Sequence, residues 1–588
     1  MTVSIDSVDV LVWGGGTGGA AAAIQAARGG ATTLLLTPGS WLGGMVSAAG
    51  VCCPDGNELS PWQTGLWGAF LRELEQREPE GLDHNWVSCF GYRPSTAETI
   101  LQNWLHQESK LLWWPGCRLR GIERESSLIR ALQIEVDGEL RRVTCRIAID
   151  GSDRGDLLPL ANAPFRLGWE AKEQWNEPSA PSSQRLRTEQ FFRNQPVQSP
   201  TWVVMGQLQS DQLFNQANPT DQPAGDQLPA PFQQACDRFG LEKTITYGRL
   251  PSGLVMLNWP LHGNDWHQGL DRAFLADAGE EAELFIEMQS HSVCFAEALQ
   301  EATDGWLQLG EAFPKTAQSP APWLAAMPYW REGRRMVGRA TVIEQDLLPL
   351  DAGLSMSEQP VNDHAVLQSI AVGNYANDHH YPGEDWPLAP KSCRWGGRWT
   401  GTPFCIPFAS LLSDALDNLL AADKAFSASH MANGATRLQP LIMNIGQAAG
   451  AAAALAVETN RQPSELSVRS LQDRLIGDAM APSAVAPLWD TPWHHSQWLE
   501  RQTAVLDQKP LAAAPSETLE SGRTLQAMVI PDGQGGFRVE SEGSEPWQLI
   551  TLEPAVNAKL QMLDRPTNLR LRGAYNPWGG WFRASSSQ

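Results

Sequence analysis

Residues 8–36 restrict the fold of this chain more tightly than any other stretch. "VDVLVW" at 8–13 reads as a buried strand, 17–29 as an alanine-rich helix ending at Gly29 and Gly30, and "TTLLL" at 32–36 as a second strand. Gly14, Gly16 and Gly19 sit at the turn between the first strand and the helix in the order G-x-G-x-x-G. Each glycine has a task there: a tight turn, close approach of the backbone to a pyrophosphate, and helix-on-strand packing. The helix N-terminus, with Thr17 and Gly18 in its first turn, presents free N–H groups and partial positive charge to an anion. A β-α-β unit of this kind predicts an α/β fold of Rossmann type that binds a dinucleotide.

Thr37 stands where such units usually carry an acid that accepts from both ribose hydroxyls. A threonine accepts one such bond, which weakens that contact. A phosphorylated ribose would call for a nearby arginine, and none follows Thr37 closely, so NADP is a minority reading.

Along the rest of the chain a helix is predicted over 95–108 with Ser95 as its cap, followed by strands that turn at Asp137–Gly138. A Gln- and Pro-rich stretch at 173–200 opens an excursion that closes near 400. The expected division is a nucleotide-binding part at 1–170, an inserted α+β substrate domain at 171–400, the second nucleotide-binding part at 401–480, a linker at 481–522 and a small β appendage at 523–588. The formal charge of −22 argues against a nucleic-acid footprint. The nine cysteines show neither CxxC nor metal-ligand spacing, a pattern of reduced thiols and no metal site. With no leader-like N-terminus and no apolar run of membrane-spanning length, the expected location is cytoplasmic.

Five motifs carry a resemblance. "WLGGM" at 41–45 places Gly43 and Gly44 where glutathione-reductase-type flavoproteins have a second glycine pair. "AIDGSDRGDLLPLANAPFRLGWEA" at 148–171, "YWREGRRMVG" at 329–338, "GNYANDHH" at 373–380 and "RLQPLIMNIGQAAGAAAAL" at 437–455 complete the set. Over roughly 8–170 and 320–460 the chain resembles the FAD-dependent oxidoreductases that include the heterodisulfide-reductase-A-like flavoproteins. The resemblance implies noncovalent FAD, with Asp150 at the strand-end motif. It also implies Asn444, Gly446 and Gln447 at the opening of an apolar helix aimed at the flavin pyrimidine, where a helix dipole favours the reduced, anionic ring. Gly151 and Ser152 depart mildly from the family pattern. Asp423 and Lys424 replace its glycine and basic residue, which bears on the strength of FAD binding.

The flavin supplies the redox chemistry, and protein groups orient the substrate and move a proton. His380 is the candidate proton-transfer group, with Asp378 two residues away and on the same face if the segment is extended. Arg331, Arg334 and Arg335 form a basic cluster, read as a helix face, with Arg331 and Arg334 as candidate anchors for an anionic group. The adjacent Cys52 and Cys53 and the 25 tryptophans are better suited to packing than to redox or sugar-binding roles. The expected activity is hydride transfer between a small organic molecule and FAD, with the electron acceptor unread. Two alternatives remain: an NAD(P)-linked flavin reductase, which would need a second glycine turn that the sequence lacks, and a degenerate flavoprotein serving as a binding or assembly module.

Overall fold

Strand β1 (Ser7–Trp13) is apolar because both of its faces are covered. It pairs in parallel with β2 (Thr33–Leu36) on one side and β6 (Glu139–Asp150) on the other. Helix α1 (Thr17–Arg28) makes the crossover from β1 to β2, as the glycine turn requires. Helices α2 (Gly65–Arg77) and α3 (Pro94–Gln107) follow, and β3 (Leu111–Trp114) joins the sheet beside β2. Strands β4 (Arg118–Glu125) and β5 (Leu128–Val136) extend it antiparallel, giving the order β3-β2-β1-β6-β5-β4, and Leu419–Ala421 adds in parallel to the end of β6. The turn between β5 and β6 falls at Asp137 (φ +52°) and Gly138 (φ +79°), two left-handed residues that suit a tight hairpin. This is the α/β architecture of a Rossmann-type FAD-binding fold.

The computed structural model describes residues 7–209, 228–275, 278–351, 356–382, 386–515, 517, 522–541 and 545–588. The first six residues, on which the reading of the N-terminus partly rests, lie outside that range, as do 516 and 518–521 of the expected linker.

The alanine content of α1 and of the helix Gln439–Thr459 follows from how closely they pack. A Cβ on Gly446 would lie 2.2 Å from the Gly18 carbonyl oxygen, and one on Gly450 would lie 2.3 Å from that of Ala22. Larger side chains would push the two helices apart and open the core. Gln439–Thr459 is long and apolar enough to cross a membrane, yet it is buried inside the fold. It begins at Gln439, with Pro440 in its first turn, so Asn444, Gly446 and Gln447 do not open it as expected but lie in its second and third turns. A second departure concerns α3, which starts at Pro94 after Arg93, without a side-chain cap from Ser95.

Between the two parts of the main sheet run an antiparallel sheet of Leu307–Leu309, Val204–Leu208 and Leu254–Leu257 and the long helix Ala278–Ala302. At the C-terminus Arg523–Pro531, Phe537–Glu540, Trp547–Thr551, Trp581–Ser587 and Thr567–Asn576 close a five-stranded barrel with its own apolar core. Trp547–Thr551 and Trp581–Ser587 pair in parallel, and the helix Pro554–Gln561 joins Trp547–Thr551 to Thr567–Asn576, the layout of an OB-type barrel. The hairpin of Ser392–Trp395 and Arg398–Gly401 lies against it: Gly396 N–H donates to the Asn557 side chain at 2.7 Å and Thr551 N–H to the Gly396 carbonyl at 2.8 Å.

Candidate active site

The glycine turn is built as its sequence promised. Gly14 has φ +94°, and a Cβ there would meet the Ser152 backbone nitrogen at 2.5 Å. The second glycine pair packs directly on the turn: Thr17 Oγ1 donates to the Gly43 carbonyl at 2.7 Å and Gly43 N–H donates to the Gly15 carbonyl at 2.8 Å. Gly44 lies against the same turn, where a Cβ would come 3.0 Å from the Cα of Gly16.

In front of α1, where a diphosphate belongs, stands a side chain. Asp423 Oδ2 accepts from Gly18 N–H at 2.8 Å and lies 2.7 Å from the place a Cβ would take on Gly16. Asp423 is completely buried, and Lys424 bridges it to Asp153, with Nζ 3.2 Å from Asp423 Oδ1. Burial pushes the Asp423 carboxyl up, against the pull of Lys424. Lys424 is itself raised, because the two carboxylates outweigh the cost of burying it. At the ribose end, Thr37 Oγ1 donates to the Gly39 carbonyl at 2.7 Å and accepts from Trp113 Nε1 at 2.9 Å, so its donor and one of its two acceptor sites are used by the protein. The backbone of Gly14, Gly16, Gly18 and Gly19 therefore fits the expected FAD, while the Asp423 carboxylate fits only in its stead.

Three other expected contacts turn elsewhere. Asn444 Oδ1 accepts from Trp67 N–H at 3.1 Å and Gln447 Oε1 from Leu66 N–H at 2.8 Å, so both side chains satisfy the free amides at the start of α2. Asp150 accepts from Ser152 N–H, Ser152 Oγ and Leu157 N–H; burial, aided by Asp156, pushes its carboxyl up to about 7.

His380 lies in a separate, charge-rich cluster. Its Nδ1 is 2.9 Å from Asp265 Oδ2 and its Nε2 is 3.1 Å from Asp378 Oδ2. The predicted pairing with Asp378 is thus present, whereas Asp265 was not singled out in the sequence. Arg331 Nη1 closes on Asp265 Oδ1 at 2.9 Å. Arg437 reaches Asp378 at 3.0 Å and the Tyr329 hydroxyl at 2.7 Å. Burial favours the neutral acid at Asp265, but Arg331 and His380 reverse that and hold its carboxyl well below the usual range. Burial drives the neighbouring His267 down to about 4 despite Asp265. Asp55 is pushed up to about 7 by burial, with Glu58 and Asp378 adding to it. Arg331 and Arg437 are buried, and among the described residues nothing accepts a hydrogen bond from the Nε of either. The side chain of His380 is 13% exposed and that of Asp378 40%, so the cluster opens on the Asp378 side.

The segment 331–334 is not a helix, because Gly333 packs where a Cβ would sit 2.5 Å from Arg154 Cα, and Arg335 begins a two-residue strand. The three arginines consequently diverge. Arg334 donates to the Arg154 and Phe274 carbonyls and lies over Phe165 and Phe274, sharing no partner with His380. Arg335 is locked to Glu170 and Glu332. Cys52 and Cys53 are buried free thiols that burial raises well above the usual thiol range, which leaves them unreactive.

Sequence signals for the missed residues existed. Arg437 is the first residue of the quoted C-terminal motif, and Asp265 lies in "HGNDWH", a polar island among tryptophans.

No curated protein matches the sequence. Solved structures with similarity include L-proline dehydrogenase from P. horikoshii, at 12% identity and TM-score 0.16 over 28% of this chain and 24% of that one. A geranylgeranyl bacteriochlorophyll reductase-like protein from Thermoplasma acidophilum has 12% identity and TM-score 0.30, over 85% of this chain and 96% of that one. The p-nitrophenol 4-monooxygenase from Pseudomonas putida DLL-E4 has 10% identity and TM-score 0.32, over 86% and 94%. The chain thus spans about a quarter of the first of these proteins. A family model described as FAD dependent oxidoreductase matches residues 9–475. The chain belongs to the FAD dependent oxidoreductase family, whose cofactor is FAD.

Proposed function

We propose that the protein passes a hydride between a small polar organic substrate and noncovalently bound FAD, with the substrate held at the His380 cluster. FAD, when bound, supplies the two-electron chemistry. Gly14, Gly16, Thr17, Gly18, Gly19, Gly43 and Gly44 would hold it, with Thr37 at the adenosine end. Asp150, Asn444, Gly446 and Gln447 would act by fixing the walls of the cradle. On this reading 1–170 and 401–480 carry the cofactor and 171–400 covers the substrate.

The observation that carries the proposal is the placement of His380 between two carboxylates. Each ring nitrogen of His380 faces a carboxylate oxygen, so the two acids orient an imidazole that can take up or release a proton. Nε2, on the open Asp378 side, is the nitrogen from which that proton is exchanged with substrate. Asp265, fixed by Arg331, positions the ring from the closed side. Arg437, which holds Asp378 on the open side, is the cation for a carboxylate or another anionic group on the substrate, whereas Arg331 acts through Asp265. Arg334, turned away, is left with a packing role.

Anaerobic mixing of the FAD-loaded protein with a panel of small carboxylate-bearing substrates tests this by bleaching of the visible flavin band. His380→Gln is expected to slow bleaching by roughly 10²–10⁴-fold at unchanged flavin content. Equal rates would remove His380 from the reaction. A second reading, a family member that serves as a binding module, is favoured by the Asp423 side chain in the cradle. It predicts a protein that takes up no added FAD.

A further inference from the structure

We infer that Asp423 competes with the cofactor diphosphate for the N-terminus of α1, and so sets the affinity of this chain for FAD. The inference rests on the reading that FAD binds at the glycine turn. A helix start attracts anions because its first amides lack intrahelical partners and carry the positive end of the dipole. Here the anion is supplied by the chain itself. One carboxylate oxygen takes the Gly18 amide, and the other takes the Lys424 backbone amide at 2.8 Å and its ammonium at 3.2 Å. The carboxylate lies over Gly16, the glycine whose missing side chain was expected to admit a pyrophosphate.

Lys424 is one cation between two buried carboxylates, Asp423 and Asp153, so this part of the cradle is already negative. A diphosphate arriving there must break a charge-assisted hydrogen bond at Gly18 and then sit beside a displaced carboxylate. The ribose end is guarded in the same way. Thr37 Cγ2 lies 2.7 Å and Leu42 Cδ2 3.2 Å from the place a Cβ would take on Gly15, and the Thr37 hydroxyl is engaged. FAD therefore enters only as Asp423 withdraws, which raises the apparent Kd above that of an open glycine turn and leaves the one-site form of the isotherm unchanged.

Removing the acid should relieve the competition without unbalancing the core, because Lys424 and Asp153 remain as a one-to-one pair. The test is titration of the full chain with FAD, read as quenching of flavin fluorescence at constant pH and salt. Asp423→Gly is expected to lower the FAD Kd at least tenfold. Asp423→Asn keeps the shape and the acceptor for Gly18 while losing the charge, and is expected to lower it severalfold; it carries the test if the glycine variant does not fold. An unchanged or higher Kd in the variants overturns the inference, as does failure of all three proteins to bind FAD. Tightened binding combined with no substrate reduction would leave this inference standing and break the hydride-transfer reading alone. An unchanged Kd combined with a slowed His380→Gln variant would do the reverse.

Discussion

The glycine turn and the His380 cluster differ in how they spend their charges. At the turn three charged side chains, Asp153, Asp423 and Lys424, satisfy one another out of reach of solvent. In the His380 cluster two aspartates and two arginines surround one imidazole, the Nε–H groups of both arginines have no acceptor among the described residues, and Asp378 is partly exposed. The turn follows a well-known binding pattern and yet is closed by the chain's own groups. The cluster follows no short pattern and yet keeps unspent hydrogen-bonding capacity. A motif reports what backbone can be formed, whereas the side chains facing it decide what can bind.

The difference can be broken most sharply at Lys424. Lys424→Met leaves two buried carboxylates without their cation and is expected to cost about 3–5 kcal/mol, read from the urea midpoint at pH 7. A loss below about 1 kcal/mol would mean that the cradle is hydrated and open. In the cluster, Arg437→Ala should raise the substrate KM by roughly ten- to a hundredfold in steady-state assays, because Asp378 loses its cation and the substrate a donor. An unchanged KM would move the anion site away from Arg437.

A pH series separates structural from functional acids. Asp150 has a folded pKa of about 7, whereas an unfolded aspartate titrates near about 3.9. Between these values the folded state holds a proton that the unfolded state has lost. The stabilisation is therefore full below the unfolded value and declines as pH rises through about 7, by at most about 1.4 kcal/mol per pH unit. Asp150→Asn should flatten that part of the stability profile, and an identical slope in both proteins would contradict the burial argument. The smallest effect is expected at Thr37. Thr37→Val removes the hydroxyl shared by Gly39 and Trp113 and should cost about 1 kcal/mol in the same denaturation assay.

Much of the fold was legible because it rests on local rules. The glycine turn, the Asp137–Gly138 hairpin and the pairing of Asp378 with His380 depend on residues within a few positions of one another. Asp423 also announced itself, as an acid where the resembling family keeps a glycine. What was not legible depends on distant partners. Asn444 and Gln447 looked like the start of a helix until Pro440 proved to begin it, and their amides then turned to α2, more than 370 residues away in sequence. Arg331, Arg334 and Arg335 read as one basic patch, but Gly333 must meet the 153–154 backbone, the segment forms no helix, and each guanidinium goes to a different partner. Asp265 lies 115 residues before His380, and no spacing rule ties the two together.

The most direct test of the whole account is the flavin content of the wild-type protein after equilibrium dialysis against excess FAD. The account predicts saturation at one FAD per chain, at free FAD concentrations well above those an open glycine turn needs. A chain that holds no flavin at any attainable concentration, with or without Asp423, would contradict it.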